Sequence, residues 1–162
     1  GGVLVGDRVA KTLIERGGEF EHGYTYSGHP VACAVAIANL RLIRDLGLVE
    51  RVRDDTGPHL AAGFAALADH PLVGQTQSCG MTAALQLVRD KASGAGFDPA
   101  LGVGMLCRAH CFANGLVMRA VGDRMIVAPP LVMTRAQIDE MLVLVRRCLD
   151  LTLAELEQRG LR

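Results

Sequence analysis

Tyr24-Thr-Tyr-Ser-Gly-His-Pro30 opens directly onto Val31-Ala-Cys-Ala-Val-Ala-Ile-Ala-Asn-Leu40, and the reading of that junction organises the rest of the chain. Proline fixes φ near the helical value and lacks the N–H that a first helical turn leaves unbonded, so Pro30 marks a helix start. The ten residues after it are apolar nearly all round, as in a helix buried on several sides. The seven before it form a polar loop that brings three hydroxyls and a flexible glycine to the positive end of that helix. Thr25, Tyr26 and Ser27, together with exposed N–H groups, suit an anion such as phosphate. The same residue types also cap ordinary buried helices, and local chemistry leaves both uses open.

Upstream of this junction, residues 1–5 read as a short buried strand. Gly6-Asp7 then begins a helix to about Arg16, with Val9, Ala10, Leu13 and Ile14 on its apolar face and Lys11 off it. Downstream, the helix from Pro30 stops at Gly47. A second long helix over Leu48–Asp69 turns Val49, Val52, Leu60, Phe64 and Leu67 inward, is kinked or split at Gly57-Pro58, and ends at His70-Pro71. Leu72–Gln77 and Met81–Val88 read as a hairpin, the second strand alternating at Met81, Ala83, Leu85 and Leu87. A polar loop over 89–98 leads to a helix from about Pro99 to Ala113, closed by Asn114-Gly115. Leu116–Ala120 and Arg124–Val127 are short strands joined by Val121-Gly122-Asp123. Pro129-Pro130 breaks the pattern, and Thr134 caps a final amphipathic helix to about Gln158. Helices and strands without regular βαβ alternation indicate an α+β fold.

Half of the 162 residues are hydrophobic, enough for a real core, and no linker or repeat divides them. Seventeen basic residues balance seventeen acidic ones, so no net charge draws the chain to nucleic acid or to an anionic membrane. No apolar run reaches the ~20 residues that span a bilayer. Five cysteines, Cys33, Cys79, Cys107, Cys111 and Cys148, do not form a secreted disulfide framework and suit a reducing, cytoplasmic compartment. The start at Gly1, directly before Val3-Leu-Val5, reads as a cut from something longer. Lys11 and Lys91 are the two lysines, which limits any chemistry that needs a lysine amine.

Among candidate chemical groups, Arg119 lies in the apolar run Val117-Met118-Arg119-Ala120. A guanidinium there calls for a carboxylate or phosphate partner, an internal Asp, or an edge position that reaches solvent. Cys107, His110 and Cys111 share one helix and lack a visible fourth ligand, so the expected metal site is none, with a metal-binding regulator as the outlying alternative. His22, His29, His59 and His70 have no spacing that unites them. A structural hydrogen bond is the leading use for His29. The Gly-x-Gly patterns at 94–96 and 102–104 lack a dinucleotide-binding context, and no phosphate-loop motif is present.

Three segments, Tyr24-Thr-Tyr-Ser-Gly-His-Pro-Val-Ala-Cys-Ala, Gly115-Leu-Val-Met-Arg-Ala-Val-Gly-Asp and Pro129-Pro-Leu-Val-Met-Thr-Arg-Ala-Gln-Ile-Asp, together resemble the C-terminal part of class III aminotransferases. These are pyridoxal 5'-phosphate enzymes of fold type I, and the match is to the ω-amino acid:pyruvate branch. Val3-Leu-Val-Gly-Asp-Arg-Val and Leu48-Val-Glu-Arg-Val-Arg fit too, so the resemblance covers essentially the whole chain. It implies that residues 1–29 are the tail of the large cofactor domain and 30–162 a connecting helix and small C-terminal domain. It implies that Thr25 donates to the cofactor phosphate across a homodimer interface, with Tyr26 and Ser27 beside it. Arg119 would be the mobile arginine that takes a substrate carboxylate, with Tyr24 as a second substrate contact. Substrates would be an amine or amino acid and a keto acid. The family's Schiff-base lysine precedes the Gly-Gly-Val-Leu-Val segment, so the catalytic lysine is expected outside this chain and the chain alone is expected to be inactive. A non-catalytic module that docks to a full-length partner is the alternative.

Overall fold

Alternation at Met81, Ala83, Leu85 and Leu87 turns one face of a strand inward, and all four side chains are buried. In the computed structural model, which describes residues 2–162, that strand is β2 (Thr82–Leu87), paired antiparallel with β1 (Val73–Cys79) through the two-residue turn Gly80-Met81. β3 (Arg119–Val121) and β4 (Arg124–Val127) form a second hairpin around Gly122-Asp123, and β4 pairs with β2 to give the order β1-β2-β4-β3. Each turn starts on a glycine with positive φ, as two-residue hairpins require. The register sets Leu85 opposite Met125 and Ala83 opposite Val127, so the inward sets of both hairpins share one face.

That face is covered by helices. Leu48–Asp69 is helical throughout, as its periodicity indicates, but in four pieces: α3 (Leu48–Arg51), a π turn (Val52–Thr56), α4 (Gly57–Ala66) and a 3-10 turn (Leu67–Asp69). The split at Gly57 matches the expected break. The π turn adds a residue to the repeat, and the inward side shifts with it: Leu48 is buried where Val49 was expected, and Val49 is exposed. Leu60 and Phe64 are 0% and 1% exposed and pack α4 against β1 and β2. The helix expected from Pro99 begins as a 3-10 turn (Pro99–Leu101) and continues after Gly102 as α5 (Val103–Ala113). α6 (Arg135–Gln158) starts with a reciprocal capping box, Thr134 and Gln137 each bonding the other's backbone N–H. Cys107 and Cys111 of α5 and Cys148 of α6 lie within the core.

Contacts divide the chain into two units, Gly1–Leu46 and Gly47–Arg162. The first holds α1 (Asp7–Arg16) and α2 (Pro30–Asp45) at the expected places. One expectation fails there. Residues 2–5 of the expected buried strand have no regular structure and Val3 is 88% exposed, because an extended segment needs a neighbouring strand to bond its backbone; Gly1 lies outside the described residues. Helix α2 is apolar as read, and its Val31, Val35, Ile37 and Leu40 are exposed.

His70, at the end of the 3-10 turn, is buried, and its Nδ1 accepts from Leu72 N–H at 3.1 Å. Its Nε2 lies 3.3 Å from Asp150 Oδ1 without hydrogen-bond geometry. Burial pushes the imidazole below its ordinary range, outweighing the pull of Asp150. Because the unfolded chain then binds the proton more readily, stability is full above the ordinary histidine value and falls as pH drops below it, by at most about 1.4 kcal/mol per pH unit for this one group. Urea unfolding at pH 7 and pH 5 checks this, with His70→Gln flattening the difference. In the same assay, Phe64→Ala should cost about 3–5 kcal/mol, the transfer and cavity cost of a buried aromatic ring.

Candidate functional site

The loop before α2 folds on its own backbone. Ser27 N–H donates to the Tyr24 carbonyl at 3.0 Å, His29 N–H donates to the Tyr26 carbonyl at 3.3 Å, and Gly28 takes φ +74°, which a side chain would oppose. The helix cap is supplied by His29, whose Nδ1 accepts from Ala32 N–H at 3.4 Å, while Pro30 fills the first helical position. This is the structural hydrogen bond expected of His29. It also means that the hydroxyls are not consumed by capping: Thr25, Tyr26 and Ser27 are exposed, and among the described residues none of their hydroxyls has a partner. Tyr24 is exposed as well and meets the edge of His22, which in turn meets Phe20. Residues 23–39 contain no acidic side chain, so nothing in this segment competes with an anion for the helix start.

Arg119 opens β3, the edge strand of the sheet, opposite Ile126. It is exposed, and among the described residues it makes no ion pair or side-chain hydrogen bond. Of the three partners that its sequence setting allowed, the internal Asp is therefore not used. Thr25, Tyr26, Ser27 and Tyr24 belong to the first unit and Arg119 to the second.

Neither lysine sits in a prepared pocket. Lys11 is exposed, with Glu15 at 3.9 Å one helical turn on. Lys91 Nζ donates to the carbonyls of Ala68 and His70, clamping the end of the 3-10 turn. The Cys107-His110-Cys111 cluster does not converge. The two cysteines point into the core, where the hydrogen bond to Cys107 and then burial push the Cys111 thiol up, and His110 Nε2 turns away to Glu155 at 2.7 Å. Among the described residues no group of three or more ligating side chains is placed to hold a metal, and no helix is long and apolar enough to cross a membrane.

Sequence reasoning missed Asp123, whose carboxylate accepts from Gly104 N–H at 2.9 Å, capping α5 from the β3–β4 turn. The signal was present as a helix that starts after glycine with no side chain of its own to cap it.

The model of the family described as "Aminotransferase class-III" matches residues 2–149. A putrescine--pyruvate aminotransferase of Pseudomonas aeruginosa is 54% identical over 154 residues, covering 95% of this chain and 33% of the relative. A PLP-bound aminotransferase mutant from Vibrio fluvialis superimposes with TM-score 0.79 at 36% identity, over 91% of this chain and 32% of that one. A transaminase obtained by ancestral reconstruction gives TM-score 0.82 at 39% identity, over 93% and 34%. The chain thus spans about a third of the length of the relatives it matches. With that family model matching residues 2–149, this chain belongs to the class III aminotransferases.

Proposed function

We propose that these residues form the C-terminal third of a pyridoxal 5'-phosphate-dependent aminotransferase that moves an amino group between an amine or ω-amino acid and a keto acid such as pyruvate. The observation that carries this reading is the family match over residues 2–149, together with 54% identity to a relative named for putrescine and pyruvate. The cofactor, when bound, supplies the electron sink for the amino transfer. The exposed hydroxyls of Thr25 and Ser27 beside an acid-free helix start fit its phosphate group. In this reading Thr25 donates to that phosphate in the neighbouring subunit of a homodimer, Tyr26 and Ser27 flank it, and Tyr24 faces the substrate.

Arg119 pairs with a substrate carboxylate through its planar fork and swings aside for an amine that lacks one. Its exposure and lack of an internal partner support this, since a guanidinium already bridged would have to break that bridge first. Residues 1–29 complete the large domain and 30–162 form the connecting helix and small domain, although α2 groups by contacts with the first unit. The free thiols, of which Cys33 and Cys79 are exposed, support a reducing cytoplasm as the compartment. In this reading the reactive lysine lies in polypeptide other than these 162 residues, since neither Lys11, on the exposed face of a helix, nor Lys91, bonded to the Ala68 and His70 carbonyls, stands in the family's lysine motif.

Two outcomes follow. Incubated with an equimolar amount of the cofactor, the 162-residue chain should show no turnover, and borohydride reduction should leave no stoichiometric label on Lys11 or Lys91 by mass spectrometry. In the complete polypeptide, Thr25→Ala should weaken cofactor affinity about 10- to 100-fold, the worth of one hydrogen bond to a charged phosphate, as read by fluorescence titration. Unchanged affinity would remove Thr25 from the phosphate site.

A further inference from the structure

The hairpin that carries Arg119 is fixed by its turn. Gly102, at the start of α5, has no side chain with which to cap the helix, and the Gly104 N–H is taken instead by the carboxylate of Asp123 at 2.9 Å. A Cβ on Gly104 would fall 2.0 Å from the Gly122 carbonyl oxygen, so the turn rests directly on the helix start only because residue 104 is glycine. The Asp123 carbonyl accepts from Leu87 N–H at 2.8 Å, which ties the same turn to the end of β2. A carboxylate at a helix N-terminus is favoured by the exposed N–H groups and by the helix dipole.

β3 is three residues long, lies at an edge of the sheet, pairs with β4 and packs against α5, with the buried Met118 just before it. Arg119 stands at its far end from the turn, with its side chain in solvent. A swinging side chain delivers a guanidinium to a defined point only if its Cα stays in place.

We propose that Asp123 is the positioning residue for Arg119: seated on Gly104 at the start of α5, it fixes the β3–β4 hairpin so that the guanidinium moves while its backbone does not. The inference rests on the reading of Arg119 as the carboxylate-binding arginine.

Asp123→Ala and Asp123→Asn test it in two settings. In the 162-residue chain, amide hydrogen exchange of β3 and β4 should be about five- to tenfold faster in Asp123→Ala, the usual worth of a helix cap, with β1 unchanged and Asp123→Asn close to the parent. In the complete cofactor-loaded polypeptide, amino-donor half-reactions are compared for β-alanine, which has a carboxylate, and 1-aminobutane, which lacks one. The ratio of their kcat/KM values should fall about tenfold in Asp123→Ala, through KM for β-alanine, and recover in Asp123→Asn. An equal loss with both donors, an unchanged ratio, or unaltered exchange in β3 and β4 would overturn the proposal. If the unaltered complete polypeptide lacks transaminase activity, the aminotransferase reading fails, while the exchange measurement still decides whether Asp123 holds the hairpin.

Discussion

Burial of Leu85, Leu87, Met125 and Val127 on one face of an antiparallel sheet is the constraint on which the second unit depends. Side chains alternate along a strand, so fixing these four inward fixes their neighbours outward, and a register slip of one residue would expose the whole set. Helices α4 and α5 then have only one side of the sheet to cover, and α6 packs on both of them. The other side carries Gln75, Gln77, Thr82, Ala84, Gln86, Arg124, Ile126, Arg119 and Val121, and has no acidic residue. The position of Arg119 is thus a consequence of the core rather than an independent feature.

The charges are arranged in keeping with this. Some carboxylates elsewhere in the unit are paired with arginines, as in Asp55 with Arg135 and Asp69 with Arg146, both at the surface and worth little individually. The Arg146 guanidinium holds the Asp69 carboxyl below the usual carboxylate range. The open face of the sheet has no such acid, and the one aspartate of the β3–β4 turn, Asp123, is turned to the helix start behind the sheet. Arg119 therefore stands exposed on a face of the sheet that carries no acid, as the proposed pairing with a substrate carboxylate requires.

Much of the fold was legible because its signals are local. Thr134 with Gln137, Pro30, and the alternation from Met81 to Leu87 each specify an element within a few residues. What escaped was non-local or depended on absent neighbours. The π turn at Val52–Thr56 leaves no mark in hydrophobic spacing until Val49 and Leu48 exchange roles. The apolar character of α2 and of residues 2–5 was legible, but the strand expected at 2–5 is not formed, since hydrophobicity states what a segment prefers and not what pairs with it. At the site, the exposed hydroxyl loop and the unpaired arginine were readable as candidates, whereas their ligands became specific only through the family's ordered motifs. Asp123 stayed hidden because its partner Gly104 lies nineteen residues earlier in the chain.

Residues 24–27 are proposed to be part of a cofactor phosphate site belonging to an aminotransferase. A crystal structure of the complete polypeptide with pyridoxal 5'-phosphate bound tests it most directly. The account predicts Thr25 Oγ1 within roughly 2.6–3.0 Å of a phosphate oxygen, with that cofactor seated in the neighbouring subunit. A phosphate held entirely by other residues, with the Thr25 loop turned to solvent, would contradict it.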